Sequence, residues 1–345
     1  MIEMWDAQFA EQDRAVAEAL AAQDGVRAFE GMHRLLDAVW AECARVLVPG
    51  GIACINVGDA TRTVGGVFQL YTNHARVIRA FAELGLQSLP AVLWRKQTNA
   101  PNKFMGSGMY PAGAYVTLEH EYILIFRKGD KRSFDERAKR RRRQSAFFWE
   151  ERNEWFSDVW SFKGVRQELV DGKQRERSGA FPFELAYRLV NMYSLQGDTV
   201  LDPFLGTATT TAAGIASGRH TVGYERDLSF VSMIDTTVNT APAAGNARGA
   251  ERLREHEAFV ARREAEDKPL KHRNRFYGFA VMTRQEQELQ LPTTSGVRTT
   301  ERADARLAYE AEHRPLELRE PHDSSAGAAE SAQSAQWELP FAEGG

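Results

Sequence analysis

Two carboxylates, Asp202 and Glu225, stand 23 residues apart within TVLDPFLGTATTTAAGIASGRHTVGYERD, residues 199–227. Thr199-Val200-Leu201 reads as the end of a strand, and Asp202 opens the turn after it. Gly206 permits positive φ or close backbone approach, which a loop wrapped around a ligand needs. Thr209 or Thr210 can cap the following helix, whose free N–H groups and positive dipole end then face the loop. Gly218 ends that helix, His220–Tyr224 is the next strand, and Glu225 stands at its carboxyl end. An acid about 20 residues beyond a glycine turn can accept hydrogen bonds from both ribose hydroxyls of a nucleoside cofactor. A pyrophosphate would want Gly-x-Gly-x-x-Gly, whereas this loop holds Gly206 alone. Asp202 at the turn suits a cofactor that carries positive charge, so a sulfonium-bearing nucleoside fits better than a dinucleotide. The bland alternative is an ordinary strand–turn–helix–strand that binds nothing.

The elements that must hold this loop are readable on both sides of it. Phe29, Met32, Leu36, Val39, Trp40 and Cys43 recur at helical spacing, and Pro49-Gly50-Gly51 ends the helix of residues 29–48. Ile52–Val57 is a buried-strand candidate. Val77, Ile78, Phe81 and Leu84 share one face of a helix over His74–Leu84. Strands are predicted at Leu89–Arg95 and Tyr122–Arg127, and Phe183–Leu195 is an amphipathic helix stopped by Gly197. Such alternation argues an α/β domain with a mostly parallel central sheet.

Composition narrows the classes further. At 345 residues the chain is long enough for one large or two modest domains. Its formal charge is -3, so a polyanion would have to be met by a local patch. The two cysteines, Cys43 and Cys54, sit in apolar settings without partners at metal-ligand spacing. They read as small buried hydrophobes, and no metal is expected. No run of eighteen apolar residues occurs, and Met1-Ile2-Glu3 is no signal peptide start. A cytoplasmic protein without a membrane partner is the expectation.

A basic segment interrupts the alternating pattern. Lys131 to Arg143 holds eight basic and two acidic residues, a local charge of +6. The run Arg140, Arg141, Arg142 and Arg143 is either a solvated helix face or a set of phosphate contacts. Phe147, Phe148, Trp149, Trp155, Phe156, Trp160 and Phe162 follow, and read as the core of a small subdomain. Residues 250–320 are charged and mixed, with a strand or an interface over Phe276–Met282. Residues 321–345 are Ser/Ala/Gly/Glu-rich and aperiodic, and are expected to be disordered.

VLDPFLGTATT resembles the Asp-Pro-Phe-x-Gly-x-Gly-Thr-Thr motif of DNA amino-methyltransferases. These enzymes use S-adenosylmethionine (SAM) to methylate N6 of adenine or N4 of cytosine. GAFPFELAYRLV resembles the family's Phe-Pro helix, which packs on the methionine end of the cofactor. ECARVLVPGGIACINVGDA is similar to the helix and strand that follow the catalytic motif, and EHEYILIFRKG to a later strand. The likeness covers residues 29–230, in the circularly permuted order where the catalytic half precedes the SAM half.

The resemblance implies a Rossmann-like SAM-dependent methyltransferase fold with an inserted target-recognition region. It implies a SAM site lined by Asp202, Pro203, Phe204, Gly206, Thr207, Thr209 and Glu225, with Phe181 and Pro182 beside them. The implied division is a catalytic half at 1–129, a target-recognition insert at 130–176 and a SAM half at 177–245. A helical or mixed extension at 246–320 and the tail at 321–345 complete it. Double-stranded DNA is the implied partner, with a cognate restriction endonuclease as a second, in a restriction–modification system or a solitary modifier. In that setting DNA contact is the favoured reading of Arg140–Arg143. One departure is Ala208, where the family has a second glycine. If that position needs positive φ, alanine costs about 1 kcal/mol.

The family's (Ser/Asp/Asn)-Pro-Pro-(Tyr/Phe/Trp) motif accepts the amino hydrogens of the flipped base and stacks on its ring. Here the twelve prolines include no adjacent pair. In the family's order the motif falls near or before Met1, and sequences like MIEMWDAQF follow Ser-Pro-Pro-Tyr in related enzymes. The expectation is therefore a start at an internal methionine, truncating the catalytic half at its N-terminus. The chain as written is then expected to be inactive and poorly stable, because the motif's strand belongs between Thr199–Leu201 and Ile52–Val57. Catalytic residues stay unassigned. Asp59 either sits near the target base or caps the next turn. Trp94 and Lys96 either line the base or DNA cleft or are a buried strand residue and a surface residue. Serine in the related motif leans toward N4 of cytosine over N6 of adenine. The alternatives are a truncated, catalytically inactive SAM-fold DNA-binding protein and a nucleotide-dependent oxidoreductase, the latter disfavoured by the single loop glycine.

Overall fold

The computed structural model describes residues 2–96, 111–113, 116, 118–164, 167–168, 174–175, 181–303 and 306–317. The chain forms two compact units, Met1–Ser133 with Ser157–Gly179, and Phe134–Phe156 with Ala180–Gly345. The first begins with α1 (Ile2–Gln12), α2 (Arg14–Ala21), α3 (Gly25–Val46) and β1 (Ile52–Val57). A hairpin of β2 (Ala60–Val64) and β3 (Val67–Tyr71) follows, then α4 (Asn73–Glu83), β4 (Leu86–Arg95) and β5 (His120–Lys128). Next in the chain come α5 (Glu136–Gln144) and α6 (Trp149–Trp155) of the second unit. The first unit resumes with β6 (Val159–Ser161) and the two-residue strands β7 (Gln167–Glu168) and β8 (Gln174–Arg175). The second continues with α7 (Phe183–Tyr193), β9 (Thr199–Asp202), α8 (Thr209–Ala216), β10 (His220–Gly223) and α9 (Val231–Ala265). It closes with paired short strands β11 (His272–Arg273) and β12 (Ala280–Val281) and a long hairpin, β13 (Pro292–Ala303) and β14 (Arg306–Pro315).

In the first unit the main sheet has the order β1-β5-β4-β6. Its core joins Trp40 and Ala44 of α3 and Val77, Ala80 and Phe81 of α4 to Leu86, Leu124 and Phe126 of the sheet. Phe81 and Phe126 stack at 4.2 Å. Each such side chain contributes about 1.5–3 kcal/mol on burial. The α3–β1 turn is held electrostatically as well. Gly50, at φ +74°, donates its N–H to Lys128 O at 2.7 Å. Lys128 Nζ donates to Ala44 O at 2.6 Å and Leu47 O at 2.8 Å, placing a cation at the negative end of α3.

The sheets are mixed, not mostly parallel as the alternation of elements predicts. β5 runs antiparallel to both β1 and β4, while β6 is parallel to β4. No described helix separates β4 from β5, and antiparallel neighbours need no crossover helix. β9 and β10 are parallel and are joined by α8, the connection that parallel strands require. Among the described residues β9 pairs only with β10, and β1 only with β5.

Several sequence readings land in unexpected surroundings. The aromatic run does not form one core. Phe148 and Trp155 are buried in the second unit, whereas Trp160 is buried in the first. Phe148 joins Leu253, Tyr277, Leu289 and Leu291 in a cluster, which makes Tyr277 of the 276–282 stretch a core residue. Cys43 and Cys54 are half-buried and lie outside any disulfide among the described residues, and burial pushes the Cys54 thiol up to about 12. No described helix is long and apolar enough to cross a membrane. The segment 321–345 lies outside the described residues.

Candidate cofactor site

The opening motif folds into a tight βαβ loop at the head of β9. Asp202 Oδ1 accepts the Phe204 N–H at 3.0 Å, and its Oδ2 accepts the Thr210 hydroxyl at 2.6 Å. The carboxylate therefore ties both ends of the turn together. Thr210, not Thr209, makes this tie, and neither caps the helix, because Ala208 occupies the N-cap position of α8. Thr207 and Thr209 face one another, with their hydroxyl oxygens 3.4 Å apart. Phe204 is 46% exposed beside the turn.

Glu225 closes the loop from the neighbouring strand. Its Oε2 accepts the Gly206 N–H at 2.8 Å, and its Oε1 accepts the Asp227 N–H at 2.8 Å. Leu205 N–H donates to Tyr224 O at 2.9 Å, and Tyr224 N–H to Asp202 O at 3.0 Å. A carboxylate has about four lone-pair sites, so Glu225 keeps acceptor capacity for hydroxyl donors after binding both amides. Two carboxylates around an open loop, with no cation among these contacts, suit a ligand with ribose hydroxyls and a positive centre. They suit a pyrophosphate poorly.

The loop also requires close packing that single residues make possible. A Cβ on Gly214 would lie 2.2 Å from Thr221 Cγ2, and one on Gly223 2.5 Å from Leu205 Cδ1. These two glycines let α8 and the loop lie flat on β10, and both signals were open to sequence reading. Arg219 locks the far end. It is buried, and its guanidinium donates to Ser194 O at 2.7 Å, at the carboxyl end of α7, and also to Ser217 O, at that of α8. Burial lowers its pKa to about 10.

Ala208 carries the strain foreseen for it. Its φ is +66° and ψ +28°, and its methyl is fully buried. Left-handed geometry costs a non-glycine residue about 1–2 kcal/mol, while the buried methyl contributes about 0.8 kcal/mol. Ala208→Gly is therefore expected to be neutral to about 1 kcal/mol stabilising, by roughly 0–4 °C in Tm, and to tighten cofactor binding. A fall of several degrees in thermal denaturation would contradict the strain.

Phe181 and Pro182 precede α7 directly, with Pro182 buried at its N-cap and accepting the Leu185 N–H at 3.1 Å. Arg137, Lys139 and Arg140–Arg143 sit on α5, capped by Asp135, whose Oδ1 accepts the Ala138 N–H at 2.7 Å. They are not equivalent. Arg141 turns inward, donating to Gln196 O at 3.4 Å, and Arg143 pairs with Glu288 at 2.9 Å. Arg142 lies over the Phe134 ring at 4.8 Å, and Arg137 and Arg140 are exposed.

In the first unit Asp59 spends both oxygens on His74, accepting its N–H at 3.0 Å and bonding its ring Nδ1 at 2.7 Å. It thus caps α4, whose own N-cap residue Thr72 supplies no side-chain bond. Trp94 is fully buried and donates Nε1 to Phe162 O at 3.0 Å, and Lys96 pairs with Glu121. The readings of Asp59 as a turn cap and of Trp94 as a buried strand residue fit these contacts.

Known proteins resemble the chain over most of its length. The chain is 50% identical over 294 residues to the type II methyltransferase M.MthZI of Methanothermobacter thermautotrophicus, across 84% of this chain and 81% of that protein. It is 46% identical over 253 residues to the type II methyltransferase M.MjaI of Methanocaldococcus jannaschii, across 69% and 81%. Among solved structures it superposes on TTHA0409 of Thermus thermophilus, described as a DNA modification methylase and complexed with S-adenosyl-L-methionine. That match has a TM-score of 0.52 and 31% identity, and covers 63% of this chain and 80% of the other. Residues 15–236 match the N6/N4 DNA methylase family. The chain belongs to that family of SAM-dependent DNA amino-methyltransferases.

Proposed function

We propose that the protein transfers a methyl group from SAM to N4 of cytosine in double-stranded DNA, in the cytoplasm, as the modifying arm of a type II restriction–modification system. The observation that carries this reading is the loop of residues 202–210 with Glu225 bonded to Gly206 N–H. Asp202, Pro203, Phe204, Gly206, Thr207, Thr209 and Glu225 hold the adenosyl part, with Glu225 on the ribose, and Phe181 and Pro182 meet the methionine part. Bound there, SAM supplies an electrophilic methyl group on a cationic sulfur. The chain's residues orient it and offset its charge with the loop carboxylates. No Pro-Pro-aromatic stands in the 345 residues, so no residue here is assigned to the target amino group. Support for cytosine over adenine comes from the serine of the related motif. N6 of adenine is the second reading.

Mass spectrometry of nucleosides from host DNA, with and without the gene, tests the assignment. N4-methylcytosine that depends on the gene is expected. N6-methyladenine would move the target to adenine, and neither base would sink the reading. For DNA contact, α5 offers its exposed arginines. Arg137→Ala and Arg140→Ala together are expected to weaken binding to all duplex sequences alike and to reduce the salt slope by about 2. Arg141→Ala should act mainly on stability. An unchanged slope in the double variant would remove α5 from the DNA interface.

A further inference from the structure

His256, on the buried side of α9, is 0% exposed and has a hydrogen-bond acceptor at each ring nitrogen. Nδ1 lies 2.7 Å from Glu150 Oε1, in the first turn of α6, and Nε2 lies 2.9 Å from Ala280 O of β12. The ring stacks on Phe148 at 4.1 Å and packs beside Phe279 at 4.6 Å. A neutral imidazole carries one N–H. Between an ionised carboxylate and a carbonyl it would leave two lone pairs facing each other, whereas the imidazolium donates to both. The face of Phe148 suits that cation.

The charges around the ring favour the same state. Glu286, from the Arg284–Glu286 turn, is 2% exposed and accepts the Trp149 N–H at 2.9 Å and the Thr283 N–H at 2.7 Å. Arg252 stands one turn earlier on α9, with its charge matched by Glu151 of α6. Arg273 of β11 is exposed and turned to Gly278 O. Burial opposes the His256 charge, but Glu150, the Ala280 carbonyl and Glu286 outweigh it and raise the pKa above the ordinary histidine value.

We propose that His256 is a pH-sensitive latch, which as an imidazolium fastens the β11–β12 hairpin to α9 and on losing a proton releases it. Glu150 keeps the remaining proton on Nδ1, so Nε2 turns a lone pair toward Ala280 O and the break falls at β12. Because the pKa is higher in the folded chain than in the unfolded one, the stabilisation is complete below about pH 6.5 and is lost as pH rises through the folded value. The hairpin lies beyond residues 15–236, so the latch governs a segment outside the family match.

Hydrogen exchange on the full chain, corrected for the intrinsic pH dependence of exchange, reads the latch at the Asn274 N–H, which donates to Phe279 O at 2.9 Å within the hairpin. Peptides covering His272–Val281 are expected to lose about tenfold in protection between about pH 6 and about pH 9. Glu150→Gln removes the carboxylate charge, and its amide can donate to Nδ1 while Nε2–H donates to Ala280 O. A neutral ring is then satisfied, so protection in this variant should stay flat over that range and exceed wild type at the alkaline end. An ion pair with no latch role would instead leave Glu150→Gln less protected throughout. His272 is present in both chains, so its own titration cancels in the comparison. Nitrogen NMR of histidine-labelled wild type near about pH 6 should find protons on both His256 nitrogens, and it provides the test if Glu150→Gln does not fold. Wild-type protection that ignores pH, a single protonated ring nitrogen in acid, or a loss in Glu150→Gln equal to that of wild type overturns the proposal.

Discussion

Arg252→Met is expected to destabilise the second unit by about 3–5 kcal/mol, the cost of leaving a buried charge without its partner. Arg252 is 2% exposed and Glu151 4%, and they meet through Nε–Oε1 at 2.5 Å and Nη2–Oε2 at 2.8 Å. Glu151 Oε2 also accepts the Phe148 N–H at 3.0 Å, so it cannot turn away without breaking the start of α6. The guanidinium lies 5.0 Å from the Trp155 ring centre and bonds the Tyr187 hydroxyl, joining α6, α7 and α9 at one point. Burial alone would lower the Arg252 pKa, and Glu151 with Tyr187 raises it instead, so the pair stays charged. Methionine fills similar volume, which leaves the uncompensated carboxylate as the main loss. Glu151→Gln/Arg252→Met should then recover much of the stability in urea denaturation. A single variant within 1 kcal/mol of wild type would show that the pair contributes little.

Glu225→Ala is expected to weaken SAM binding about 100-fold or more while changing little of the fold outside the loop of residues 202–210. Two hydroxyl bonds to an ionised acceptor contribute about 1.5–3 kcal/mol each, and about 1.4 kcal/mol corresponds to tenfold in affinity. The substitution also frees Gly206 N–H and Asp227 N–H, which Glu225 holds at 2.8 Å, so the loop loses its shape with its acceptor. Glu225→Gln keeps one acceptor but turns an amide N–H group toward one backbone donor, and should fall between. Equal SAM affinity in wild type and Glu225→Ala would remove the carboxylate from the site.

The parts of the fold legible in the sequence are those whose partners lie along the same face of one element. α3, α4 and α7 announce themselves by apolar residues at helical spacing, and β1, β5 and β9 by short apolar runs. α9 does not, because its buried side carries Arg248, Arg252 and His256 at every fourth residue. Their carboxylate partners, Glu184, Glu151 and Glu150, lie 64 to 106 residues away. Hydrophobic periodicity is blind to a helix buried through paired charges. The β2–β3 hairpin carried a usable signal, Gly65-Gly66 between β-branched runs, of the kind two-residue turns favour. Within the loop, the acids and Gly206 were readable from residue type and spacing. That Thr210 rather than Thr209 reaches Asp202, and that Arg141 turns inward among five consecutive basic residues, depends on tertiary packing alone.

Photo-crosslinking of SAM labelled in its methyl group, followed by peptide mapping, tests the site most directly. Label confined to the peptides spanning Phe181–Tyr193 and Thr199–Asp227, and displaced by S-adenosylhomocysteine, is the expected result. Label in the first unit alone, or no displaceable label on the wild-type chain, would contradict it.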